Sequence, residues 1–197
     1  MPNSSSIFLP MPSAPPEVRL LTVDDYRATP DEIRYQLVEG ELIMSPSPTS
    51  HHQAILWNFA QIFGRYLDKR PIGRAFFAPL DVYLSNHNVF QPDVLFIATA
   101  NLGILKKDGV HGAPDIVVEV LSPSNAQLDR KTKRRVYARA GVKEFWLVDP
   151  ALRQIQLSLF PADRARPVKL IEENESFASP LLPGLKLRAI DVFRGAI

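Results

Sequence analysis

The 197-residue chain contains no cysteine, which excludes a disulfide framework and thiolate metal sites and fits a reducing compartment. No apolar run approaches the roughly 20 residues that a membrane-spanning helix needs. The opening "MPNSSSIFLPMPSAPPEV" lacks a charged leader and its apolar residues are broken by proline. Residues 1–18 therefore read as a flexible arm rather than a signal peptide, and the expected location is the cytoplasm. A strong excess of one charge is also missing, because 23 Lys and Arg against 21 Asp and Glu leave a formal net charge of +2. Any claim on nucleic acid must then rest on local clustering. Neither a GxxxxGK loop nor a GxGxxG fingerprint is present, which argues against nucleotide-hydrolysing and dinucleotide enzymes, and no serine sits in a GxSxG elbow. His51 and His52 are adjacent while His87 and His111 are isolated, so no zinc-site spacing arises.

What is there suits one globular domain over residues 19–197, with 46% hydrophobic and 22% charged residues. "TVDDYRATP" reads as a short capped helix and "YQLVEGELIMSPSP" as a hairpin around a Glu-Gly turn. In "SHHQAILWNFAQIFGRYLDKR" apolar residues recur at helical spacing (Ile55/Leu56, Phe59, Ile62/Phe63, Tyr66/Leu67), with Ser50 and Gln53 as a capping-box pair. Strand-like runs follow at "RAFFAPLDVYLS", "FQPDVLFIA", "PDIVVEVLSP" and "EFWLVDP". The last two are separated by a helical stretch, residues 126–140, that Gly141 can close. A connection of that length suits a crossover helix on a mixed sheet. The tail adds strands around a Pro-Gly turn.

Within "GAPDIVVEVLSPSN" a lone carboxylate, Glu119, interrupts a run of Ile, Val and Leu. Burying it costs several kcal/mol or more unless a cation, a proton or strong hydrogen bonds accompany it. Alternation puts Val117, Glu119 and Leu121 on one face and Ile116, Val118 and Val120 on the other. Asp93 opens the neighbouring apolar run directly after a proline. If the two strands are adjacent, their carboxylates converge as hard oxygen ligands of the kind Mg²⁺ or Mn²⁺ takes. Taken singly, Asp93 could cap a turn and Glu119 could pair with an arginine.

Six of the ten residues from Arg130 to Arg139 are basic. Such a run most often marks a solvated face. Lys133, however, lies one turn after Asp129 and one before Tyr137, close to the core-facing Val136 and Ala140, and from there it could extend toward Glu119. Arg130, Lys131, Arg134 and Arg135 would remain for phosphate contacts.

The sequence "QPDVLFIA", then "GAPDIVVEVLSPS", the Asp129–Lys133–Tyr137 spacing and "AGVKEFWLVDP" together resemble the Uma-type restriction endonuclease family, a branch of the PD-(D/E)XK nuclease superfamily. The similarity runs from about Tyr35 to Val192. It implies an α/β (α+β) restriction-endonuclease-like core, a central mixed sheet flanked by helices, with an extra N-terminal hairpin and C-terminal strands. It also implies Mg²⁺ (or Mn²⁺) held by Asp93, Glu119 and a backbone carbonyl near Val120, and metal-assisted hydrolysis of DNA by a protein that could act as a homodimer. The superfamily places a lysine two residues after the glutamate, where this chain has Leu121. Lys133 is the expected substitute and Glu41 a candidate further acid. One alternative is a nuclease-like fold that binds nucleic acid or protein without cutting. Another is a structural domain with ion-paired acids, for which Glu119→Ala would destabilise the fold, whereas the enzyme reading expects stability to be kept or raised.

Overall fold

In α1 (Val23–Arg27) the backbone N–H of the capping residue Thr22 donates to the Asp25 carboxylate at 2.8 Å. The structure is a computed structural model that describes residues 19–30, 32–122, 128–160 and 169–196, with residues 128–130 described by backbone only. The arm expected over residues 1–18 lies outside the described residues. The hairpin forms as β1 (Tyr35–Val38) and β2 (Glu41–Met44). Its turn residues Glu39 and Gly40 have φ of 49° and 84°, the left-handed pair that a two-residue hairpin turn of matching twist requires.

The long helix α2 (Ser50–Lys69) buries Ile55, Leu56, Phe59, Phe63 and Tyr66, the stripe expected from their spacing. Its cap differs by one residue from the expected Ser50–Gln53 box. The capping residue is Thr49, whose Oγ1 accepts the His52 N–H at 3.2 Å. Thr49 is extended, with φ −78° and ψ 162°, and the first helical residue is Ser50.

The runs "RAFFAPLDVYLS" and "FQPDVLFIA", read as single strands, are each broken. The first gives β3 (Gly73–Phe77) and β4 (Val82–Ser85), the second β5 (Asn88–Phe90) and β6 (Val94–Ala98). Pro79 and Pro92 sit at the breaks and offer no N–H to a ladder. A 3₁₀ turn (Thr99–Ile104) leads to β7 (Leu105–Lys106) and β8 (Gly109–His111), followed by β9 (Ile116–Val120). A wide π-helical turn (Leu128–Lys133) runs into α3 (Arg134–Ala140), which Gly141 closes at φ 102°. The chain ends with β10 (Glu144–Asp149), β11 (Gln154–Leu159), β12 (Lys169–Ile171), β13 (Ser176–Ala178), β14 (Lys186–Arg188) and α4 (Ala189–Val192).

Because of those breaks the strands are divided between two six-stranded mixed sheets, ordered β2-β1-β5-β4-β8-β7 and β12-β11-β10-β9-β6-β3, with β13 and β14 as a separate pair. The central pair of the second sheet, β9 and β10, is parallel and joined by α3 as the crossover. Ile116, Val118 and Val120 face α2, packing with Phe59, Phe63 and Trp146. Val117 and Leu121 face the other way, against Val136 and Tyr137 of α3 and Phe90 of the first sheet. The alternation read from β9 therefore matches the two sides of the sheet, and Glu119 points toward α3.

Candidate active site

Asp93, at the entry to β6, lies one step beyond the antiparallel pair Val94–Val118 and so comes level with Glu119. Neighbours at that separation stand about 5 Å apart. The Asp93 carboxylate is fixed at both oxygens. Oδ2 accepts the Val120 backbone N–H at 2.7 Å and Oδ1 lies 3.1 Å from Nε2 of His52.

Glu119 has its side chain only 3% exposed, and Lys133 is equally buried with its Nζ 3.0 Å from Glu119 Oε1. The Tyr137 hydroxyl donates to the same oxygen at 2.6 Å. Lys133 ends the wide turn before α3 and lies 5.9 Å from the centre of the Phe90 ring. The charge that looked out of place in β9 thus has an ammonium and a phenol beside it, which is the company a buried carboxylate needs.

His52, Asp93, Glu119, Val120 and Lys133 line one cleft of roughly 910 Å³. Leu121 lines it too but packs into the apolar cluster around Tyr137 and Phe145. The oxygen donors Asp93 and Glu119 fit a hard divalent cation in kind. Among the described residues no group of three or more His, Cys, Asp or Glu could hold a metal. A hard ion here would therefore take its other ligands from backbone oxygen, water or substrate phosphate, as Mg²⁺ commonly does.

Several expected residues stand elsewhere. Glu41 is exposed at the start of β2, opposite Val38, and is not part of the cleft wall. Glu39 pairs with Arg135 and Arg139 instead. Arg134, expected to be free for phosphate, is buried, with Nε donating to Ser158 Oγ at 3.1 Å and its guanidinium 5.9 Å from the Phe160 ring. Arg134 stands three and four residues before the buried Tyr137 and Ala138 of α3, and that helical spacing turns it inward. Lys131 and Arg135 are exposed but do not line the cleft. The side chains of Asp129 and Arg130 lie outside the described residues.

The cleft also holds residues that the sequence reading left unused. Arg34 is exposed in its wall. Gln36 is buried there, accepting the Gln91 N–H at 3.2 Å and donating to Ser45 Oγ at 3.0 Å. Gln91 reaches back to Asp81 at 2.8 Å, so the Gln-Pro-Asp segment is pinned from both sides. His51 and His52 line the same wall. His52 lies three and four residues before Ile55 and Leu56, and that spacing marks it as inward-facing on the helix. Gln36 and Gln91 carry no comparable signal, since their pairing depends on how β1 and β5 meet.

The fold is shared with a crystal structure of a protein from Anabaena variabilis described as a putative nuclease belonging to DUF820, at a TM-score of 0.74 and 22% identity, covering 90% of this chain and 99% of that one. No curated protein matches the chain. Among the described residues no helix is long and apolar enough to cross a membrane. A family model described as Uma2, putative restriction endonuclease, matches residues 23–191, so the chain belongs to that family, and this membership supports a nuclease-like function.

Proposed function

We propose that the protein is a metal-dependent endonuclease that hydrolyses phosphodiester bonds of DNA. The observation that carries this reading is the meeting of Asp93, Glu119 and Lys133 in one cleft, with the lysine bonded to the carboxylate it would serve. Asp93 and Glu119 would hold Mg²⁺ or Mn²⁺, with the Val120 carbonyl as a further oxygen. Held there by those residues, a divalent ion would supply polarisation of the phosphate and a lowered pKa for an attacking water. Lys133, anchored on Glu119, holds its positive charge where negative charge develops on the phosphate and positions the water. It takes the part that Leu121 cannot. Arg34, exposed in the wall, suits a phosphate of the flanking backbone. The choice of DNA follows the family's description, and cutting both strands with one site per chain favours a homodimer.

The test is cleavage of supercoiled plasmid with Mg²⁺ or Mn²⁺ by the wild type, Asp93→Ala, Glu119→Ala and Lys133→Ala, each compared at matched folded fraction. Nicking by the wild type that vanishes in all three supports the reading. Absence of nicking on several DNA and RNA substrates makes the protein a nuclease-like binder. Activity that survives all three changes rules out this site.

A further inference from the structure

We propose that His52 is a positioning residue for the metal-binding carboxylate, holding Asp93 Oδ1 through an Nε2–H donor so that the rest of that oxygen faces the cleft. The inference rests on the metal site proposed above. His52 Nε2 and Asp93 Oδ1 are 3.1 Å apart, with both side chains largely buried at 14% and 15% exposed. A carboxylate oxygen only accepts, so Nε2 carries the proton. The other ring nitrogen, Nδ1, is buried without a hydrogen-bond partner. Among the described residues, Asp93 is the polar group that orients the ring.

The backbone beneath the ring is fixed as well, because the His52 N–H is bonded to the Thr49 cap. The opposite oxygen of Asp93 is held by the Val120 N–H. One donor from α2 and one from β9 therefore set the rotation of the carboxylate between them. Residues that orient ligands in this way typically change metal affinity by about 10–100-fold when removed. A histidine that merely filled space would leave that affinity unchanged.

The experiment is Mn²⁺ binding to the full chain, by calorimetry and by loss of the free-ion EPR signal, at one fixed neutral pH. The variants are Asp93→Ala, His52→Ala, His52→Asn and His52→Gln, with thermal melts of each. Asp93→Ala is expected to abolish binding. His52→Ala is expected to weaken it about 10–100-fold, and His52→Asn, whose amide falls short of Asp93, to behave alike. His52→Gln, whose amide can donate from nearly the same place, is expected to stay within a few-fold of the wild type. Should His52→Ala not fold, the contrast between Gln and Asn carries the same comparison. Equal affinity in wild type and His52→Ala, or equal loss in Gln and Asn, overturns the role of His52 while the metal site stands. A wild type that binds no Mn²⁺ overturns both.

Discussion

Replacing Lys133 by Met removes the cation bonded to the buried Glu119 carboxylate, and the structure sets the size of the effect. Both side chains are 3% exposed and their charged atoms are 3.0 Å apart. At an effective dielectric of 20 that separation corresponds to about 5.5 kcal/mol of attraction, much of it offset by desolvation of the two ions. Removing one member of a buried pair typically costs 3–5 kcal/mol. Because the Tyr137 hydroxyl still donates to Glu119, the expected loss lies near the lower end, about 3 kcal/mol. For a domain of this size that is a fall of roughly 6–12 °C in Tm. The double variant Lys133→Met/Glu119→Gln removes both charges yet keeps an acceptor for Tyr137, and is expected to recover most of the loss. Urea unfolding of the wild type, both single variants and the double variant gives the coupling, expected at about 2 kcal/mol. If Lys133→Met unfolds with the wild type and the cycle shows no coupling, the buried pair is not what accommodates the charge in β9.

Burial pushes the Glu144 carboxyl above the usual carboxylate range, opposed in part by hydrogen bonds from Ser179 and Trp146. The folded state therefore holds this proton more tightly than the unfolded chain. The stabilisation is full below the ordinary glutamate value and is lost as pH rises through the folded one. Glu144→Gln should flatten that decline in unfolding midpoints between mildly acidic and neutral pH, and an unchanged slope would refute the attribution. Arg134→Ala should cost about 1–3 kcal/mol through the lost Ser158 bond and ring packing. Arg135→Ala should stay within about 1 kcal/mol because its pair with Glu39 is exposed. Denaturant midpoints that rank the two arginines the other way would contradict the inward placement of Arg134.

Stability alone does not separate an enzyme from a structural domain here, contrary to the expectation drawn from Glu119 in isolation. Glu119→Ala would remove the buried carboxylate that Lys133 is bonded to under either reading. Metal binding and cleavage therefore carry the distinction.

Local patterns explain what was legible in the chain. The Glu39-Gly40 turn, the inward stripe of α2, the Gly141 cap and the alternation in β9 each follow from residues within one element. Lys133 could be connected with Glu119 because both lie beside a crossover that is short in sequence. Other features depend on distant segments. Pro79 and Pro92 mark breaks in the strands, but which sheet receives each half depends on pairings such as Leu37 with Val89. Arg134 lies on the inward face with Tyr137 and Ala138 and bonds Ser158 of β11, a distant partner, whereas basic composition alone reads as exposure. The doublet His51-His52 lacks metal-ligand spacing, and the informative relation is that of His52 to Ile55 and Leu56 on one face of α2.

The parallel pairing of β9 with β10 also orders events in time. Asp93 and Glu119 leave the ribosome before Lys133, and Lys133 belongs to the segment that must fold back before β10 can pair with β9. The two carboxylates are consequently synthesised before the lysine that is bonded to Glu119 in the folded protein. A chain halted within the crossover would therefore carry both carboxylates without the lysine that Glu119 is bonded to.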